Sequence, residues 1–216
     1  ARQPVPADGR DAGRADVGHM AEILAAVRVG NVDLHRRDAD RLHRVKQRDA
    51  RVRIGGWIDD VPKGVRMKSA KVHEAILNSD VWINVPILKN HGGANLTISM
   101  KNHMGIVWDR GFFHSNDLQQ CIADICTMDK KAVLNVVDAY RILKTNGPRG
   151  RSASDVVLTK GLFISQDIVA VDTAATKFFN QVREMPLESV AHLANGQALK
   201  IGTMDLDKLN VKRIRL

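Results

Sequence analysis

Residues 81–88 read VWINVPIL, a nearly continuous apolar run that stops at the polar loop Lys89-Asn90-His91-Gly92-Gly93. A run this short and this apolar is a strand buried on both faces, which is the mark of a sheet covered by helices. Pro86 cannot donate to a ladder, so it places the run at an edge or near its strand's end. Residues 132–137 (AVLNVV) read as a second buried strand ending at Asp138, and residues 162–165 as a third.

Helical spacing lies between these strands. Val72, Ala75 and Ile76 predict a helix over residues 70–79. Leu118, Cys121, Ile122 and Ile125 predict another, capped by Ser115 or Asn116. Val171, Ala174, Ala175 and Phe178 share a third face, and residues 187–194 form a fourth helix, stopped at Asn195-Gly196. Residues 95–105 are ambiguous between strand and helix. Strands alternating with helices predict an α/β fold, a mostly parallel Rossmann-like sheet with helices on both faces. Ligands of such sheets bind beyond the carboxyl ends of the strands. Those ends carry Lys89-Asn90-His91, Asp138 and Gln166-Asp167.

The chemistry-bearing residues gather in the same stretch. Lys89-Asn90-His91 and Lys101-Asn102-His103 repeat one tripeptide twelve residues apart, and His114 and Arg110 follow. Lysine as a point charge and histidine as a proton donor or acceptor suit an anionic substrate. The bland alternative is a set of polar loops whose histidines bond to backbone. The spacing of His91, His103 and His114 matches no compact metal-ligand motif, so no metal is expected. Asp138 after a strand and Asp172 within an apolar helix are either acid/base groups or ordinary caps and ion partners. The loop Asn146-Gly147-Pro148-Arg149-Gly150 is a turn or a ligand-facing backbone. There is no G-x-G-x-x-G, P-loop, H-E-x-x-H or G-x-S-x-G, which removes the motif-based case for dinucleotide, NTP, zincin or hydrolase chemistry.

Composition breaks near Trp57. All nine aromatics and every Ser, Thr and Cys lie at or after it, while residues 1–56 hold eleven Arg and one Lys. Residues 1–54 are expected to be an atypical Arg/Ala/Asp-rich segment, with one short helix over residues 21–29 and the rest irregular, poorly ordered or not native coding sequence. Residues 55–216 are expected to be the α/β domain. A nucleic-acid arm is disfavoured, because residues 1–60 carry twelve basic and ten acidic side chains, and phosphate binding needs an unopposed basic surface. Residues 61–216 carry 21 basic and 14 acidic side chains, which favours small anions as partners. The missing initiator Met and leader suggest a fragment, of cytoplasmic or exported origin, with no integral membrane segment and no readable oligomeric state.

The run Asp80-Val81 through Val107 (DVWINVPILKNHGGANLTISMKNHMGIV) resembles the signature region of the domain-of-unknown-function 362 family. His114 and the stretches Val136-Val137-Asp138-Ala139, Asn146-Gly147-Pro148, Asp167-Ile168-Val169-Ala170-Val171-Asp172 and Gly202-Thr203-Met204-Asp205-Leu206 follow in the family's order. The resemblance covers residues 55–216 and marks Lys89, His91, Lys101, Asn102, His114, Asp138 and Asp172 as motif positions. At His103 relatives commonly carry an apolar residue. Many relatives carry a ferredoxin-like iron–sulfur module. This chain has two cysteines where a cluster takes about four, so it resembles the cluster-free type and no iron–sulfur cluster is expected. Other cofactors are unknown. Two readings stand. One is a redox-associated enzyme acting on a small anionic substrate, with His91, His114, Lys101, Asp138 and Asp172 in the chemistry and Lys89, Asn102, His103 and Asn146 holding substrate. The other is a non-catalytic anion- or metal-binding protein.

Overall fold

The computed structural model describes residues 56–214. The expectations for residues 1–54 lie outside them.

A small antiparallel ribbon comes first: β1 (Gly56–Asp60) pairs with β2 (Ser69–His73). The helix expected over residues 70–79 is therefore strand as far as His73, and α1 (Glu74–Leu77) is its helical part. Ala70 and Val72 alternate inward, a period of two that fits a strand. Val72 also bridges to Val107, which ties the ribbon to the rest.

The main sheet is open and mixed. β3 (Ile83–Asn84) and β4 (Ile87–His91) are the halves of the apolar run, broken at Pro86, whose carbonyl accepts the Asp138 N–H at 2.8 Å. Both halves pair in parallel with β6 (Leu134–Leu143), in the register Ile83–Leu134 and Ile87–Asp138. The outer pairings are antiparallel: β5 (Asn95–Thr97) on β4, and β7 (Val156–Ser165) on β6. The α/β sheet expected from the alternation is present, with its parallel pairings at the centre. β6 and β7 run longer than the apolar segments that announced them, so Asp138 lies inside a strand instead of at its end.

The chain between β5 and β6 folds into α2 (Ser99–Asn102), a 3₁₀ turn (His103–Ile106), α3 (Gly111–Ser115) and α4 (Leu118–Ile125). The ambiguous residues 95–105 are thus strand, then helix. Asp117, not Ser115 or Asn116, caps α4, accepting the Gln120 N–H at 3.1 Å. α5 (Ile168–Phe179) is capped by Asp167 and follows β7 directly. The expected helix over 187–194 is instead a 3₁₀ turn (Leu187–Ser189) and α6 (His192–Ala198), which runs through Asn195-Gly196. Gly196 does not end the helix. A Cβ there would lie 2.8 Å from the Met100 side chain, so glycine permits close packing of α6 on α2.

One sheet face is the core. Leu88, Val137 and Phe163 point into it, and Phe178 of α5 packs edge-on against Phe163 with ring centroids 5.3 Å apart. The other face carries Ile83, Val85 and Ile87, all largely exposed, beside Leu134 and Val136, so the apolar run expected to be buried on both faces is buried on one. No helix among the described residues is long and apolar enough to cross a membrane.

Candidate functional site

Strand alternation puts Lys89 and His91 on one face of β4 and turns Asn90 to the other. The antiparallel register sets Thr97 opposite Lys89. Asn90 is a fastener. Its Nδ2 donates to the Asn95 carbonyl at 3.2 Å, and its Oδ1 accepts the Gly147 N–H at 3.1 Å. Gly147 fits there because it has no side chain: a Cβ would fall 1.6 Å from the Asn90 carbonyl oxygen. The loop after β6 is so brought to the carboxyl end of β4.

Asp155 holds the same loop from beneath. Its Oδ1 accepts from Thr145 and Asn146, and its Oδ2 from the backbone N–H groups of Arg151 and Ser152. These donors, the Thr145 hydroxyl foremost, keep its carboxyl well below the usual carboxylate range. The loop delivers Pro148 and Arg149 over the strand ends.

Lys101 reaches the same place from α2. Asp172 of α5, fully buried, accepts the backbone N–H groups of Ser99 and Met100, both at 2.8 Å, and so fixes the turn that carries Lys101. Burial outweighs those hydrogen bonds and raises the Asp172 carboxyl to about 7. Lys101 is only 9% exposed, and its Nζ lies 3.0 Å from the Met104 sulfur. Burial, then the charges of Lys89 and Arg110, lower its pKa.

The result is an open cleft of about 580 Å³, lined by Lys89, His91, Thr97, Lys101, Asn102, Met104, Gly105, Arg110, His114, Pro148 and Arg149. Four basic side chains and two histidines converge there, and no Asp or Glu among the described residues lines it. The Thr97 hydroxyl is buried and has no partner among the described residues. His91 is held in one tautomer. Its Nδ1 accepts the N–H groups of Gly93 and Ala94, each at 3.1 Å, so the neutral ring carries its proton on Nε2. Partial burial, then Lys101, His114 and Lys89, push its pKa down to about 4. Near neutral pH, His91 is therefore an uncharged N–H donor.

Five of the nine residues singled out from sequence line this cleft: Lys89, His91, Lys101, Asn102 and His114. The other four do not. Asp138 sits on the exposed sheet face between Ile87 and Leu162 and accepts the Tyr140 N–H. Asp172 lies behind the cleft, as described. His103 is buried against Trp82, with ring centroids 4.8 Å apart and Nδ1 on the Ser99 carbonyl. Asn146 turns from the cleft to Asp155. The other six lining residues, Thr97, Met104, Gly105, Arg110, Pro148 and Arg149, were given no site role from sequence, although Arg110 was noted beside the Lys-Asn-His repeat. The signal for Arg149 was its place in a glycine-bearing loop beyond a central strand. His192, buried beneath α4 with its Nδ1 on Gln119 and its Nε2 without a partner among the described residues, had no sequence signal.

The described residues do not suit a metal cluster. Among the described residues no three His, Cys, Asp or Glu side chains converge as ligands. Cys121 and Cys126 are free and buried, and burial pushes both thiols up, which makes them poor thiolate ligands.

Residues 26–177 match the protein family described as "Domain of unknown function (DUF362)". No curated protein and no solved structure matches the chain.

Proposed function

The chain belongs to the domain-of-unknown-function 362 family, and since that name carries no activity we infer from the site itself that the cleft holds a small anionic substrate for an enzymatic step. The convergence of Lys89, Lys101, Arg110 and Arg149 with no carboxylate among them supports this reading. Like charges brought together repel, and that arrangement becomes favourable when an anion enters. Arg110 and Arg149 offer planar forks suited to carboxylate or phosphate oxygens. His91 adds an uncharged Nε2–H, and the exposed His114 is the group placed to exchange protons with solvent. Asp172 is a positioning residue for Lys101. The redox association of this reading rests on the resemblance to relatives with ferredoxin-like modules.

A second reading uses the same cleft without turnover, as an anion-binding protein. Two substitutions separate them. Anions that co-purify with the protein are identified by mass spectrometry and offered to His91→Ala and Lys101→Ala variants. Turnover lost from His91→Ala with binding retained supports the enzyme. Binding that Lys101→Ala abolishes, with no turnover ever seen, favours the binding protein. Binding of no anion, or binding indifferent to both substitutions, refutes both.

A further inference from the structure

Lys101 can do more than help to clamp an anion. A buried lysine normally has a carboxylate partner. Among the described residues the ion pair present is Lys208–Asp205, and Lys101 has none. Among the described residues its Nζ donates to a thioether, a weak acceptor. The cleft already holds Arg110 and Arg149, exposed guanidiniums that cannot give up a proton, to take an anionic group. A desolvated amine hemmed in by other cations is the environment that makes a lysine a nucleophile.

We propose that Lys101 condenses through Nζ with the carbonyl carbon of a small anionic aldehyde or ketone, the class of oxo acids and phosphorylated carbonyl compounds, whose anionic group Arg110 and Arg149 hold. This rests on the anion-cleft reading above. The Nζ lone pair forms the C–N bond while the carbonyl π pair moves to oxygen. The His91 Nε2–H donates a hydrogen bond to that oxygen as charge develops on it. One nitrogen proton passes to the oxygen, giving the carbinolamine. The second nitrogen proton leaves with the hydroxyl as water, giving the imine. No oxidant or reductant is consumed.

Groups facing Lys101 come from several elements: Lys89 and His91 from β4, Arg110 and His114 from the α3 region, Arg149 from the loop after β6, and His192 from α6. All are cationic or neutral, so none holds the ammonium form in place. Burial and these charges together lower the Lys101 pKa, which raises the fraction of free amine near neutral pH.

The test uses the full chain at pH 7 with glyoxylate and cyanoborohydride, which reduces any imine to a carboxymethyl-lysine that peptide mapping locates. Lys101 is expected to label at least about tenfold faster than any other lysine side chain, because burial among other cations favours its free amine. Saturating inorganic phosphate is expected to suppress that label. Lys101→Arg should bind phosphate, melt at the wild-type temperature and lose the label from that peptide; the wild-type result stands even if that variant fails to fold. Label spread evenly over the exposed lysines overturns the proposal. A protein that binds phosphate in the cleft and leaves Lys101 unlabelled overturns it too, and leaves the anion cleft standing. Failure to bind phosphate at all, with no Lys101 label, overturns both.

Discussion

Replacing Asp172 by Asn tests how the fold secures Lys101. Both carboxyl oxygens accept backbone N–H groups, from Ser99 and Met100, at 2.8 Å each. The side chain is fully buried, and its pKa stands near 7. An unfolded chain titrates this group near 3.9. A folded pKa raised above the unfolded one means the fold keeps its proton while the unfolded chain loses it. The stabilisation from this group is therefore fully present below about pH 4 and is lost as pH rises to about 7. The loss is about 1.4 kcal/mol per pH unit and about 4 kcal/mol in all, by linkage. Asn cannot titrate and lacks this slope. It also turns an N–H₂ toward one of the two N–H donors, which costs about 1 kcal/mol or more at every pH. Urea denaturation of both proteins from pH 4 to 8 reads the difference, in which the other titrating groups cancel. Wild type should be the more stable at pH 4, and the gap should close and reverse by pH 8. A pH-independent gap, or one that widens with pH, would mean that Asp172 is ionised throughout and that its two N–H bonds outweigh burial.

Two further outcomes follow from the same geometry. Nitrogen-detected NMR of His91 should show a neutral ring protonated at Nε2 from pH 5 upward, with its transition near pH 4; an Nδ1–H tautomer or a midpoint near 6.5 would contradict the contacts to Gly93 and Ala94. Asn90→Ala should release the loop that carries Arg149 and weaken phosphate binding by about tenfold, the worth of one lost charge-assisted contact, with the arginine's backbone amide becoming faster in hydrogen exchange; unchanged affinity and exchange would mean that Asn90 does not hold the loop.

Residues 81–88 announced the sheet because branched apolar side chains favour strands, although only one face of the run is buried: Leu88 enters the core while Val81, Ile83, Val85 and Ile87 are exposed. The polar tripeptide after the run announced the site, since the end of such a strand is where polar groups reach water. What stayed hidden depended on distance in the chain. Ser69–His73 carries both a helical and an alternating pattern, and its pairing with β1 decided between them. The second Lys-Asn-His looked equivalent to the first, yet it lies on a helix, where successive residues diverge by about 100°. Lys101 and Asn102 consequently meet the cleft while His103 faces Trp82. Asp172 drew attention as a buried acid, but its partners are backbone groups some 72 and 73 positions away, which no local pattern encodes. Arg149 entered the cleft through the contact of Gly147 with Asn90, which sequence shows only as a glycine in a loop.

The basic cleft is assigned to an anion held beside Lys101. Calorimetric titration of the full chain with inorganic phosphate at low ionic strength reads this directly, beside Lys101→Met and Arg149→Gln variants whose melting temperatures match wild type. One phosphate per chain is predicted, weakened by about 10- to 100-fold in each variant, the range expected for a hydrogen bond to a charged group. Phosphate that does not bind, or that binds both variants as tightly as wild type, contradicts the assignment of the cleft.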